Sequence, residues 1–161
     1  MALDMFMKLG DIVGESVDSV KKDEIDVLAW SWGMSQSGTT HMGGGGGSGK
    51  ANFQDISFTK YVDSGSNAIM TALAKGTHLP EAVLTCRKAG AGQQDYIVIT
   101  MKEVIVTSVS TGGSGGEDRL TENVTLNFAE VNFSYTPQDA KGTVAGAKIF
   151  GWNIAENIAA G

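Results

Sequence analysis

Apolar residues in this chain recur at every second position, and in two runs the alternation changes parity partway along. Around 23–34, Ile25 and Val27 share one parity while Leu28, Trp30, Trp32 and Met34 take the other. Around 120–135, Val124, Leu126 and Phe128 alternate with Asn123, Thr125 and Asn127. Beyond Ala129 and Glu130 the apolar set moves to Val131, Phe133 and Tyr135. Successive side chains of a strand point to opposite faces, so a parity change means that the buried face has switched sides. A β-bulge does this, and so does a strand that leaves one sheet for the opposing one. Two such runs in 161 residues predict a mainly β fold, a closed barrel or a sandwich of two sheets, rather than an open sheet.

Further strands are expected at 3–9, with Leu3, Met5, Met7 and Leu9 on one face, and at 51–59, 81–88 and 94–109. A last one carries Phe150, Trp152 and Ile154 on one side. The total is seven or eight. One helix interrupts them at 68–75, after the capping candidates of 63–67, with Ile69, Ala72 and Leu73 on one stripe, Gly76 at its end and Pro80 beyond. A helix this short is unstable alone in water, so it must pack on the β-structure, as a plug at one end of the barrel.

One domain over 1–161 is the expectation from length, with enough buried surface to need neither disulfide nor metal. The single cysteine, Cys86, shares a strand face with Leu84 and Ala82 and reads as a small buried hydrophobe. A net charge of −6 without any Lys/Arg cluster excludes a nucleic-acid partner or an anionic membrane surface. No apolar run is long enough to insert into a membrane as a helix. The acid at position 4 and the lack of a basic segment before the apolar residues make a poor signal peptide, so the chain is expected to stay in the cytoplasm unless another route exports it.

Motifs for catalysis fail one by one. Gly44-Gly45-Gly46-Gly47-Ser48-Gly49-Lys50 fits a phosphate loop as far as the lysine, but Ala51 stands where a magnesium-binding hydroxyl belongs, and a strand follows where a helix is needed. His41 and His78 have no partners at zinc-like spacing. Asp23, Glu24 and Asp26, and the pair Glu117 and Asp118, read as exposed acidic turns. Ser48 and Ser114 sit in glycine loops and not on a strand-to-helix turn. Neither a catalytic residue nor a cofactor or metal site is expected.

Two features remain. The strand of Trp30 and Trp32 has a second face of Val27, Ala29, Ser31 and Gly33, small and weakly polar, suited to close approach by a sheet, a subunit or a cargo. Of the chain's 22 glycines, six fall in 43–49. Ordering glycine costs more backbone entropy than ordering any other residue. Such a stretch therefore reads as a linker or as a loop ordered by a neighbouring subunit, and the flanking strands of one core argue against the linker.

Several segments, in order and spacing, resemble the hemolysin-coregulated proteins (Hcp). They are Asp4-Met5-Phe6-Met7-Lys8-Leu9-Gly10-Asp11, the run from Glu24 to Gly38 containing Trp30-Ser31-Trp32-Gly33-Met34, and Gln54-Asp55-Ile56-Ser57-Phe58-Thr59-Lys60-Tyr61. The run from Ser110 to Phe128, with Gly115-Gly116-Glu117-Asp118-Arg119-Leu120, and Gly151-Trp152-Asn153 complete the set. Only 17–22 and 136–147 resemble the family poorly, and both read as loops.

That resemblance implies a β-barrel of two sheets with one helix, similar to phage tail-tube proteins. It implies homohexameric rings that stack into the inner tube of a type VI secretion system, inside a contractile sheath and beneath a spike protein. Small effector proteins would ride in the lumen, and export by the machine would replace a signal peptide. Family members extend a loop onto a neighbour, and the glycine-rich segment of about 38–50 matches its position. His41, Gly43, Gly44, Gly45, Gly46, Gly47, Ser48 and Gly49 are therefore candidates for an inter-subunit loop, and Ala29 and Ser31 for lumen- and cargo-facing residues. Some relatives carry a toxin domain after the tube module; with ten residues beyond Gly151, none is expected here. The alternative is a free-standing β-sandwich binding module or adhesin.

Overall fold

The computed structural model of the protein describes residues 3–38, 50–88, 93–137 and 146–161. Strands β1 (Leu3–Leu9), β2 (Ile25–Ser31), β3 (Met34–Ser35), β4 (Asn52–Phe53) and β5 (Ile56–Tyr61) precede helix α1 (Ser66–Lys75). After it come β6 (Leu79–Lys88), β7 (Asp95–Thr111), β8 (Thr121–Asn127), β9 (Glu130–Tyr135), β10 (Lys148–Asn153) and β11 (Ile158–Ala159). Eight of these have six residues or more, and β3, β4 and β11 are two-residue ladders. The order β7-β6-β1-β2-β5-β8, with β8 returning to β7, closes a six-stranded barrel in which every pair is antiparallel.

The two parity changes have different causes. In the first run the register of β2 against β5 jumps from Val27↔Lys60 to Ala29↔Thr59, leaving Leu28 as the extra residue of a bulge. Val27 is thereby buried while Ala29 and Ser31 are exposed, so Val27 does not belong to the small outer face expected of it. In the second run the chain makes two strands rather than one. β8 pairs with β5 and with the C-terminal half of β7, whereas β9 pairs with the N-terminal half of β7, and the break falls at Phe128 and Ala129. The run 51–59 likewise divides into β4 and β5.

Two layers result. The front sheet is β2-β5-β8 and the C-terminal half of β7; the back sheet contains β1, β6, the N-terminal half of β7, β9, β10 and β11. β2 and β7 belong to both. β7 turns the corner with Glu103 at φ +54 and a second register shift between Val106 and Ser108. One hydrophobic cluster fills the space between the layers, including Met7, Leu9, Ile25, Ile56, Phe58, Leu84, Ile99, Met101, Val124 and Leu126. Burying each such side chain contributes about 1.5–3 kcal/mol. Cys86 lies among the buried residues with Leu84 and Ala82, as expected.

Helix α1 packs on β7 and sends Ile69 and Ala72 into the core. Leu73, expected on the same stripe, is exposed together with Met70. The N-cap is Gly65, without a side-chain cap bond. Before it, the Ser66 hydroxyl accepts from the Asp63 N–H at 3.0 Å and the Asp63 carboxylate accepts from the Gly65 N–H at 2.9 Å. Gly76 closes the helix at φ +64, and the Thr77 N–H bonds to the Ala72 carbonyl at 2.9 Å.

Segment 17–22 is a loop, as expected. Asp18 Oδ1 accepts the N–H groups of Val20 and Lys21, both at 3.0 Å, and these bonds, with Arg87 nearby, hold its carboxyl below the usual carboxylate range.

Candidate assembly face

The outward side of the front sheet is built from two cross-strand rows. One runs Ala29, Thr59, Asn123 and Ser110; the other runs Ser31, Ser57, Thr125 and Ser108. None of the eight carries a charge and none is larger than asparagine. The polar atoms are partly spent on each other: Thr59 Oγ1 donates to Asn123 Oδ1 at 2.6 Å, and the hydroxyls of Ser57 and Thr125 lie 3.2 Å apart. At the next level Asp55 accepts from Thr107 Oγ1 at 2.9 Å and from Asn127 Nδ2 at 2.8 Å. Ala29 and Ser31 therefore share one continuous neutral surface, as the sequence pairs them. A hollow of about 220 Å³ opens over Ala29, Ser31, Ser57, Thr59 and Asn123. It is smaller than the roughly 300 Å³ at which small-molecule pockets begin.

Behind this face lies a charged group that the sequence reading did not single out. Lys60 and Glu122 oppose each other across β5 and β8 and are 0% and 1% exposed. The Lys60 ammonium donates to Glu122, to Ser66 Oγ at 3.1 Å and meets Asp63 at 2.9 Å, and the Ser66 hydroxyl donates to Glu122. Two hydrogen bonds and the ion pair with Asp63 thus surround the Lys60 ammonium, while Glu122 Oε2 has no hydrogen-bond partner. The signal was present: Lys60 continues the inward parity of Ile56 and Phe58, and Glu122 that of Val124 and Leu126. Charge argued against burial, and only the pairing register brings the opposite charges together.

The remaining candidates are scattered. His78 is exposed in the turn after α1, and Glu117 and Asp118 are exposed beside Arg119, whose guanidinium lies 3.7 Å over the ring of Tyr61. Glu24 and Asp26 stand at the start of β2. Burial pushes both carboxyls up, Lys21 offsetting this for Glu24 and Arg119 for Asp26. Burial also raises the Cys86 thiol, with a smaller opposing effect from a hydrogen bond with Trp30. Trp30 and Trp32 pack against the core, Trp32 stacking on Phe53 and Phe133 at 6.4 and 6.3 Å between centroids. Among the described residues no three of His, Cys, Asp and Glu form a metal-ligating group, and no helix is long and apolar enough to cross a membrane. His41, Gly43, Gly44, Gly45, Gly46, Gly47, Ser48 and Gly49 lie outside the described residues.

A closed six-stranded barrel with a β9-β10-β11 extension, one short helix and a neutral, small-residue outer face defines an Hcp-like β-barrel. The family described as "Type VI secretion system effector, Hcp" matches residues 6–135. Protein hcp1 of Pseudomonas aeruginosa is 62% identical over 162 residues, covering 99% of this chain and all of that protein. Among solved structures, a type six secretion system protein superposes with a TM-score of 0.92 at 30% identity, covering 98% of this chain and 99% of its own. Hcp1 from Salmonella typhimurium does so with a TM-score of 0.82 at 35% identity, covering 99% and 100%. This chain belongs to the Hcp family of the type VI secretion system.

Proposed function

We propose that the chain is the subunit of a type VI secretion inner tube: one domain over 1–161, six copies closing a ring, and rings stacking within a sheath and beneath a spike. In this reading the front sheet faces the lumen, with Ala29 and Ser31 touching small effector proteins carried for export. The glycine-rich segment of about 38–50, with His41, Gly43, Gly44, Gly45, Gly46, Gly47, Ser48 and Gly49, is the loop that a neighbouring copy orders. Export by the machine itself carries the subunit out of the cell.

The observation that carries the reading is the pair of edges on the front sheet. Among the described residues, 29–31 of β2 and 105–111 of β7 have main-chain partners only on their inner sides. Because β2, β5, β8 and β7 alternate in direction, the two edge strands run opposite ways. A neighbour's β2 laid against this β7 therefore continues the antiparallel alternation. That contact is heterologous, and a heterologous contact closes a ring when its rotation divides a full turn. An unpaired edge left in water is also a standing invitation to aggregation, which closure removes.

Light scattering after gel filtration and negative-stain micrographs test this. The expected result is a particle of six subunit masses with a central hole. A monodisperse monomer at micromolar concentration rejects the tube reading and favours a free-standing binding module.

A further inference from the structure

The buried cluster of Lys60, Asp63, Ser66 and Glu122 occupies a particular place in the front sheet. Residues Val27, Lys60, Glu122 and Thr111 form one cross-strand row that runs from the bulge of β2 to the last residue of β7. The ion pair is at the middle of that row, and the two edge strands are at its ends. Ser66 and Asp63 join the same pair to the start of α1, which packs on β7. Bulge, ion pair and helix start are thus mechanically one unit at one rim of the sheet.

Buried ion pairs add little net stability, because desolvation offsets their attraction, and apolar replacements of similar volume are often neutral or stabilising. Such a pair is sensitive to register: a one-residue slip of β5 on β8 would turn Lys60 to the outer face and leave Glu122 in the core without its partner. From this geometry we infer that the Lys60–Glu122 cluster sets the angle between the two edges of the front sheet, and so fixes how many copies close a ring. The inference rests on the ring reading and adds to it a determinant of ring order. An apolar core at the same place would hold the strands together but would tolerate a range of twists between β5 and β8. Each twist turns the β7 edge by a different amount relative to β2, and heterologous contacts at different angles close at different orders.

The test compares the full chain with a triple variant, Lys60→Met, Asp63→Asn and Glu122→Leu, which removes every charge of the cluster while keeping its bulk. Native mass spectrometry reads the ring order, and circular dichroism with a thermal melt confirms that the barrel is intact. The expected result is a single ring species for the parent and a spread over adjacent ring orders, or open oligomers, for the folded variant. A folded variant that still gives only the parental ring order overturns the inference and leaves the ring reading standing. A parent that forms no ring overturns both. If the triple variant does not fold, Glu122→Gln decides by the same readout, since it keeps the oxygen facing Lys60 and Ser66 but weakens the pair.

Discussion

Gly151 of β10 faces the carbonyl oxygen of Ala160 so closely that a β-carbon on residue 151 would sit 1.8 Å from it. The contact is held by the Ala160 N–H bonding to the Gly151 carbonyl at 3.1 Å and by the pairs Trp152↔Ala159 and Asn153↔Ile158. Gly151→Ala should therefore cost about 1–3 kcal/mol or release the C-terminal strand. Hydrogen exchange separates the two: release gives fast exchange confined to 158–161, whereas unchanged exchange and an unchanged melting temperature would contradict the close approach.

Ser31 lies on the neutral front face beside Ser57, which opposes it on β5. A bulky charge placed there by Ser31→Arg is exposed and should leave both the barrel and the ring intact. In the tube reading it should abolish co-purification of an effector protein expressed with the chain. Loss of the ring itself would show that the Ser31 side chain is packed within the contact between subunits and does not face the lumen.

Cys86 is buried among Leu84, Ala82 and Met5-bearing strand β1, and burial raises its thiol above the ordinary 9.0. A thiol so placed is protonated at pH 8 and shielded from solvent, and the thiolate is the reactive form. A disulfide reagent at pH 8 should label it only after denaturation. Labelling of the native protein at a free-cysteine rate would place residue 86 outside the core.

Glu24 gives a pH dependence whose sign follows from its surroundings. Burial raises its folded-state carboxyl above 4.5 despite Lys21 at 3.9 Å. The folded state thus favours the protonated form, and the stability this supplies is present at low pH and lost as pH rises through the raised value. Glu24→Gln has no charge to desolvate. Its melting temperature relative to the parent should be higher at pH 7 than at pH 4, and a difference of the opposite sign would mean that the Lys21 contact outweighs burial.

Local pattern and tertiary pairing divided the legible from the illegible. The alternation of Val124, Leu126 and Phe128, and the jump to Val131 and Phe133, carried the switch of buried face because period two is a local property. Whether a switch is a bulge, as at Leu28, or a passage between sheets, as at Phe128 and Ala129, depends on the partner strands and is not written locally. Val27 was misplaced for that reason: extending one parity through residue 28 ignores the extra residue. Ala29 and Ser31 were legible as an exposed pair because both follow the bulge. Lys60 and Glu122 were 62 residues apart, and nothing short of the β5–β8 register announces that they meet. Leu73 fell off the helix stripe because only one narrow side of α1 touches β7.

Sharing β2 and β7 between both layers has a mechanical consequence. In an ordinary sandwich the layers are held by side-chain packing and can be sheared apart without touching a covalent bond. Here a push or drag on the front sheet travels along unbroken main chain into the back sheet at two corners. Detaching one layer would require a strand to be stripped from its neighbours hydrogen bond by hydrogen bond, so a load is shared along the whole seam rather than met at its weakest contact.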